Sequence, residues 1–343
     1  MKKIFIFAAL MLGLASCQND NNIFGVNVNT NEEAVEFTIT ATAPEVEQTR
    51  AAYTDSGEGA IKNGVLADDN VTLRYILDVY IWNDTESKYE LSTHRFTEYS
   101  DDRVVNFKPT LVPSRRYNFV VWADVVTKID GNWVNNLYNV TDLQAVTIDD
   151  TKWAPMDEKR DAYTGNFVVE SLEKTSAINI PLTRPFGKLR IVTLDLDKVK
   201  ELHITPTYAE VTYQAVPTYS FNATNGTYTP AGTGTMNKTH AKFAIAGYAS
   251  NNNTNMTLFT DYFFAPSDNE VALGNFTLEV LDQNQKKITE TSFATTIPVK
   301  RNRLTTITGK LLTITANPDD ANSFKVTATT GDDFTEWKTY EIQ

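Results

Sequence analysis

The sequence predicts an all-β protein made of two antiparallel β-sandwich domains in tandem. Apolar and polar residues alternate with a period of two in many short segments rich in Val, Ile, Thr and aromatic residues, which is typical of half-buried strands. No segment longer than about ten residues shows the period of an amphipathic helix. The chain has 343 residues, of which 41% are apolar, and this is enough for two packed cores.

The N-terminal domain is predicted to span residues 34–180. Its leading strand covers residues 34–42, where Phe37, Ile39 and Ala41 alternate with polar residues and therefore share one face. Because the alternation also includes β-branched residues, one side of this strand should face a core. Further strands are predicted at residues 71–82, 104–107 and 117–123.

Residues 127–163 lack a clear period and carry three isolated aromatic residues, Trp133, Tyr138 and Trp153. Isolated aromatics in loops more often pin the loop onto a core, but on a surface they also form binding faces. The sequence leaves both interpretations open.

The C-terminal domain is predicted to span residues 181–343. Pro181, Pro185 and Gly187 interrupt the strand pattern at its start. Residues 222–238 and 250–255 are rich in Asn, Thr and Gly and are predicted to be loops. The predicted strands are residues 188–196, 208–213, 256–265, 275–282, 287–295, 304–314 and 324–329.

The first residues have the pattern of a secretory signal. Lys2 and Lys3 precede an apolar run at residues 4–14 that is too short to span a bilayer as a permanent helix. The end of the run, with Cys17 after three small or apolar residues, resembles the lipobox of bacterial lipoproteins. The resemblance implies a signal peptide at residues 1–16 and a lipidated Cys17 that anchors the chain to the cell outer membrane. A structural role for Cys17 is weaker because it is the only cysteine.

Composition excludes several other classes of protein. The formal charge is −12 before the two lysines of the signal are removed, so the mature chain is acidic. Nucleic acids and anionic head groups are bound by basic patches, and neither is expected as a partner. Residues 17–33 are a polar tether, and no other apolar run approaches the length of a membrane span.

Catalytic motifs are missing from the sequence. The three histidines, His94, His203 and His240, have no zinc-ligand spacing, and neither a G-x-S-x-G elbow nor a second cysteine is present. The acidic pairs do not follow a calcium-loop pattern and fit solvated turns better. These pairs are Asp101-Asp102, Asp149-Asp150, Asp319-Asp320 and Asp332-Asp333. We therefore expect no enzyme activity, no cofactor and no metal site.

Several motifs occur in the same order as in one known family. They are the lipobox, the segment YNFVVWAD at residues 117–124, RPFGKL at residues 184–189, and IPVKRNRLTTITGKLLT at residues 297–313. Together they resemble the fimbrillin family, the FimA/Mfa-like subunits of type V pili. The resemblance implies two transthyretin-like β-sandwich domains in a surface lipoprotein precursor. It also implies trimming by an arginine-specific protease and assembly with other pilin subunits.

The position of the trimming site follows from this resemblance. Arg50, followed by Ala51, lies after the leading strand in a stretch without periodicity, where a protease has access. Arg115 and Arg116 are the main alternative. Loss of the segment before Ala51 would remove the leading strand and leave its site in the sheet open to a strand from another subunit.

The C-terminal segment is the candidate donor strand. Phe324, Val326 and Ala328 repeat the spacing of the apolar residues in the leading strand. The alternative is that both terminal segments pair within their own chain. Residues 316–343 depart from the ends of major polymerising subunits, which leaves open a tip or anchor subunit, or a monomeric surface lipoprotein that binds glycan or host protein.

Overall fold

The computed structural model describes ten larger segments of the chain and a few shorter ones. They are residues 33–44, 61–62, 65–66, 70–134, 137–149, 152, 158–203, 205–244, 256–265, 271–273, 276–293, 297–313, 324–328 and 336–342. The predicted signal peptide and almost all of the predicted tether lie outside the described residues.

The described part of the first half of the chain contains fourteen strands and one short 3-10 helix, Glu158–Arg160. The strands are β1 (Val35–Glu36), β2 (Thr38–Thr42), β3 (Ile61–Lys62), β4 (Val65–Leu66), β5 (Val71–Asn83), β6 (Lys88–Ser100), β7 (Val104–Phe107), β8 (Thr110–Leu111), β9 (Tyr117–Ile129), β10 (Asn132–Val134), β11 (Tyr138–Asn139), β12 (Thr147–Ile148), β13 (Ala162–Val169) and β14 (Ala177–Pro181).

Among the residues that the structure describes in the second half, there are eleven strands and one helix, α1 (Leu196–Glu201). The strands are β15 (Phe186–Thr193), β16 (Pro206–Asn222), β17 (Thr227–Ala244), β18 (Met256–Phe264), β19 (Val271–Leu273), β20 (Phe276–Asp282), β21 (Lys287–Phe293), β22 (Ile297–Val299), β23 (Leu304–Gly309), β24 (Phe324–Ala328) and β25 (Glu336–Ile342). The prediction of an all-β protein of sandwich type is confirmed. Among the described residues, no helix is long and apolar enough to cross a membrane.

Two sheets enclose the core of the first half. One sheet has the order β10-β9-β5-β6, with β13 also paired to β9, and the other has the order β14-β2-β7. Alternate residues of each sheet point inward, so Tyr75 and Phe119 pack across from Ile39, Phe107 and Ile178 in one buried cluster, which we call the first core.

The second half repeats this arrangement. Its sheets have the orders β18-β15-β23-β25-β24 and β17-β16-β20-β21. Leu189, Val211, Leu258, Phe276 and Ile307 are members of a buried cluster between them, the second core. Both halves are therefore sandwiches in which period-two alternation supplies the inner face of each sheet.

A third core joins the two halves. The outer face of the first sheet contributes Tyr80 and Trp122, and the second half contributes Phe186, Phe221 and Phe264. Each large side chain that is fully buried in this way contributes about 1.5–3 kcal/mol to stability. The two halves therefore pack against each other through an aromatic interface.

The hairpin of β16 and β17 corrects one sequence prediction. Residues 222–238 were expected to form a loop, but the turn is confined to residues 223–226 and strands extend on both sides of it. Thr is favoured in strands, and backbone pairing between β16 and β17 does not require an apolar pattern. The backbone groups of Phe221 and Val146 exchange two hydrogen bonds of 2.8 Å, which fixes the tip of the hairpin on the first half.

The motif at residues 184–189 lies where the chain passes between the cores. Phe186 packs in the third core and Leu189 in the second. A Cβ atom on Gly187 would lie 2.5 Å from the carbonyl oxygen of Lys300 and 2.9 Å from its nitrogen, so this close approach requires glycine. Leu182, just before the motif, belongs to the first core. The predicted domain boundary at residue 181 stays a prediction.

Candidate functional site: the leading strand and its surroundings

The leading strand, predicted at residues 34–42, forms β1 and β2, and β2 occupies the central position in its sheet. β2 lies between β14, which is parallel to it, and β7, which is antiparallel. Ile39 is opposite Ile178 on one side and Phe107 on the other. Upstream, β1 pairs with β8, and the nitrogen of Phe37 donates a 2.9 Å hydrogen bond to the Pro109 carbonyl. The strand is therefore hydrogen-bonded on both sides.

One face of the leading strand is part of the first core. Phe37 is 3% exposed and Ile39 and Ala41 are fully buried, while Thr38 and Thr42 on the other face are exposed. Burial of Phe37 and Ile39 contributes about 1.5–3 kcal/mol for each side chain. The alternation predicted from the sequence is confirmed.

Three of the predicted site residues cannot be placed. Cys17, Arg50 and Ala51 lie outside the described residues. In the sequence, Arg50 falls between β2 and β3. The lipidation site and the trimming site therefore stay predictions.

The alternative trimming residues Arg115 and Arg116 are held in the fold. The carbonyl of Arg115 accepts a 3.0 Å hydrogen bond from the nitrogen of Leu172, and that of Arg116 accepts one of 3.0 Å from Trp82. The Arg116 guanidinium lies 4.2 Å from the centroid of the Trp82 ring and forms a 2.9 Å ion pair with Glu170. The chain enters β9 at the next residue.

The predicted donor strand is paired within its own chain. β24, which carries Phe324, Val326 and Ala328, is antiparallel to β25, and β25 is parallel to β23. β24 is the outermost strand in the described part of this sheet. This agrees with the alternative that the C-terminal segment pairs within its own chain. An unassembled subunit requires such pairing whether or not the segment later acts as a donor.

The three aromatic residues of the predicted binding face have different positions. Tyr138 is buried in the third core, with its ring centroid 5.3 Å from that of Trp122, and its hydroxyl donates to the Arg160 carbonyl. Tyr138 therefore pins its segment onto the core, and the surface interpretation is wrong for it. Trp133 is half-buried and stacks on Tyr99 at 6.0 Å. Trp153 lies outside the described residues.

Buried ion pairs, which sequence reasoning missed, connect the two halves. Arg160 and Asp261 are paired with both side chains fully buried, and the Tyr213 hydroxyl donates a 3.1 Å hydrogen bond to Asp261. Burial, together with the negative charge of Asp261, raises the pKa of Tyr213 well above its ordinary value, so the phenol stays protonated. The pair joins residues 101 positions apart, and no local motif could have indicated it.

A second ion pair in this region holds the residue that opens the RPFGKL motif. Arg184 donates two hydrogen bonds of 2.7 Å to the carboxylate of Asp161. The Tyr163 hydroxyl donates a further bond of 2.6 Å to Asp161. Both carboxylate oxygens of Asp161 accept hydrogen bonds inside the protein, and the two side chains are at most 5% exposed, which supports a structural role for this pair.

The described residues contain no cluster of three or more His, Cys, Asp or Glu side chains placed to hold a metal ion. Two members of the acidic pairs make ordinary structural contacts. Asp101 accepts a 2.7 Å hydrogen bond from the Thr72 hydroxyl, and Asp149 forms a 3.2 Å ion pair with Lys152. Asp150 and the two pairs near the C-terminus lie outside the described residues.

Comparison with known proteins adds a family and a group of similar structures. A cell adhesion candidate from Bacteroides eggerthii covers 91% of this chain and 99% of its own, with 13% identity and a TM-score of 0.40. The match to a cell adhesion candidate from Bacteroides ovatus covers 79% of this chain and 89% of that protein, with 15% identity and a TM-score of 0.44. The match to a fimbrial assembly protein from Parabacteroides distasonis covers 81% of this chain and 92% of that protein, with 12% identity and a TM-score of 0.38.

No curated protein matches the chain. A family model does match, over residues 27–338, and its description is a family of unknown function, DUF6562. The match covers the leading strand, both sandwiches and most of the C-terminal hairpin. The chain therefore belongs to the DUF6562 family.

Proposed function

We propose that this protein is a structural and adhesive subunit of a surface fimbrium. It is exported as a lipoprotein anchored through Cys17, trimmed between Arg50 and Ala51, and assembled by strand exchange. The observation that carries the proposal is the position of the leading strand, which precedes the trimming site and is a central strand with a buried face. The motifs shared with fimbrillins point in the same direction.

Loss of the leading strand would create an acceptor site for another strand. β7 and β14 would each lose the strand that they pair with in the described sheet, and the sites of Phe37 and Ile39 in the first core would be empty. Re-exposing the surface that these two side chains cover would cost about 3–6 kcal/mol. A strand with the same spacing of apolar residues would recover both the hydrogen bonds and the burial.

The contacts of the alternative arginines favour Arg50 as the trimming residue by elimination. A protease needs an extended segment that is free of the sheet, and Arg115 and Arg116 do not provide one because their carbonyl groups are hydrogen-bonded. Arg74 and Arg95 are also unsuitable, since both lie within strands and form ion pairs. The segment that contains Arg50 joins two strands in the sequence.

The C-terminal hairpin is a suitable donor because it lies at the edge of its sheet. β24 is attached through β25, so its release does not require a central strand to leave. Strand alternation assigns Phe324, Val326 and Ala328 to one face, which would enter the acceptor site.

The proposal is tested by treating the full chain with an arginine-specific protease. We expect a new N-terminus at Ala51 and SDS-stable ladders of subunits. Arg50→Lys keeps the positive charge but should abolish both the cleavage before Ala51 and the ladders. Val326→Asp should permit trimming and prevent ladders, whereas Lys325→Asp, on the opposite face, should permit both. Trimming that leaves a monomer, or ladders that still contain the leading strand, would refute strand exchange.

A monomeric surface protein that binds glycan or host protein is the second candidate function. The exposed Tyr99, stacked on Trp133, is the observation that favours it. Glycan binding and polymerisation are compatible with each other, since the two involve different faces of the first half.

A further inference from the structure

A groove lies on the outer face of the first sheet, beyond the area that the third core covers. β5, β6 and residues 138–141 enclose a volume of about 320 Å³, which is within the size range of small-ligand sites. Arg74, Arg95, Thr97 and Tyr99 line one part of this outer groove, and Asn139 and Thr141 line another. The rest of the same sheet face is buried against the second half.

Two arginines in the groove are fixed by buried carboxylates. Arg74 binds Asp124 through Nε at 3.0 Å and Nη2 at 2.7 Å, and Arg95 binds Asp78 through the same two atoms at 2.7 Å each. Both aspartates are fully buried, while the arginine side chains are 15% and 30% exposed. The guanidinium groups are therefore held rigidly, and each charge is balanced by its partner.

The electrostatics of these pairs keep the groove close to neutral. The hydrogen bonds that Arg95 donates to Asp78 raise the pKa of Arg95 further, so this side chain stays charged. Burial raises the pKa of Asp124 despite the opposing effect of Arg74. With the overall charge of −12, this arrangement does not favour an anionic ligand.

An aromatic platform lies at one side of the groove. Tyr99 is 45% exposed, and Trp133 stacks on it at 6.0 Å with an angle of 20° between the rings. Lys128 lies 5.4 Å from the centroid of the Trp133 ring. Trp133 thus holds the Tyr99 ring in place, and an exposed aromatic ring of this kind can receive the C–H face of a sugar.

Uncommitted hydrogen-bonding groups complete the site. Among the described residues, the Thr97 hydroxyl has no hydrogen-bond partner, and the same is true of the Asn139 amide NH₂. The Asn139 oxygen accepts a 3.1 Å hydrogen bond from the nitrogen of Thr141, which orients the amide. Fixed polar groups beside an aromatic ring match the hydroxyl groups and apolar face of a pyranose.

We propose that the outer groove binds a short neutral oligosaccharide, with one sugar ring on Tyr99 and its hydroxyl groups on Thr97, Asn139 and the two arginines. The inference rests on the adhesive part of the proposed function and specifies the class of its ligand. It requires only the first half, so it applies to the untrimmed monomer as well as to a polymer.

The test uses the full untrimmed chain on an array of immobilised neutral and acidic oligosaccharides. We expect retention on a subset of the neutral ones, followed by saturable quenching of tryptophan fluorescence with the best soluble trisaccharide. Tyr99→Ala should raise the Kd about tenfold or more, because it removes the stacking surface. Thr97→Val, which keeps the shape of the side chain, should raise it by a smaller factor.

Phe167→Ala is the matched control. Phe167 is also exposed, at 40%, and it pairs with Phe119 of the first core, so it lies on the other face of the sheet. The Kd of this variant for the trisaccharide should equal that of the unmodified protein. Retention on acidic glycans alone, no retention at all, or equal binding by Tyr99→Ala would overturn the proposal. Because the untrimmed monomer is used, these outcomes are independent of whether protease treatment produces ladders.

Discussion

Ile39→Ala should destabilise the protein strongly if the leading strand is an integral part of the first core. Ile39 is fully buried and faces Phe107 on one neighbouring strand and Ile178 on the other. Replacement of a buried Ile by Ala costs about 2–5 kcal/mol, depending on how far the site collapses. Strands on both sides limit collapse, so we expect about 3–4 kcal/mol, in the upper part of that range.

Urea unfolding followed by tryptophan fluorescence measures this loss. The midpoint should fall while the m-value stays constant. Thr38→Ala, an exposed neighbour in the same strand, is the control and should change the free energy of unfolding by less than about 0.5 kcal/mol. Equal effects of the two variants would refute the packing argument.

The same variant also tests strand exchange. If the leading strand must leave before a donor enters, a weaker strand should be replaced faster after cleavage at Arg50. A loss of about 3 kcal/mol corresponds to roughly a hundredfold change in the equilibrium for release. Ladders that form at the same rate with Ile39→Ala as with Thr38→Ala would show that release of this strand does not limit assembly.

Two further predictions concern the junction of the two halves. Gly187→Ala should lower stability by about 1–3 kcal/mol in thermal unfolding, because the new Cβ atom would meet the backbone of Lys300 at 2.5 Å; an unchanged Tm would contradict the close approach. Asp261→Asn should cost about 3–5 kcal/mol in urea, since it leaves the fully buried Arg160 without its charge partner. Replacing both residues by apolar ones, as in Asp261→Leu with Arg160→Met, should restore part of that loss, and no recovery would argue against an unpaired charge as its cause.

The local pattern of the sequence was sufficient for most of the described strands of five or more residues. The alternation around Ile39 and Phe276 identified β2 and β20 together with their buried faces. Prediction from alternation failed for strands that pair without an apolar pattern and for strands whose pattern is interrupted by polar residues. β17 is rich in Thr and Gly and pairs through its backbone, and β6 was missed because polar residues interrupt its pattern. Both strands are held by long hairpins, a tertiary context that a short window does not contain.

The candidate sites divide in the same way. The leading strand was predicted from the alternation of apolar and polar residues in its own sequence. Its position between β14 and β7 was shown only by the structure. The outer groove could not be predicted, because Arg74, Arg95, Tyr99 and Asn139 become neighbours only when β5, β6 and the segment after β10 pack together. Tyr138 is a second example. As an isolated aromatic residue in a predicted loop, it was compatible with a surface or a core position, and only the structure showed that it is buried.

The sequence by itself determined the class of the fold, the strand faces and the acidic character of the chain, because these depend on local periodicity and composition. Only the tertiary structure decided that the halves share an aromatic core, that Arg160 pairs with Asp261, and that the leading strand is central in its sheet. These features join residues far apart in the chain, and the free energy that selects them comes from desolvation and packing of surfaces that do not exist until the strands assemble.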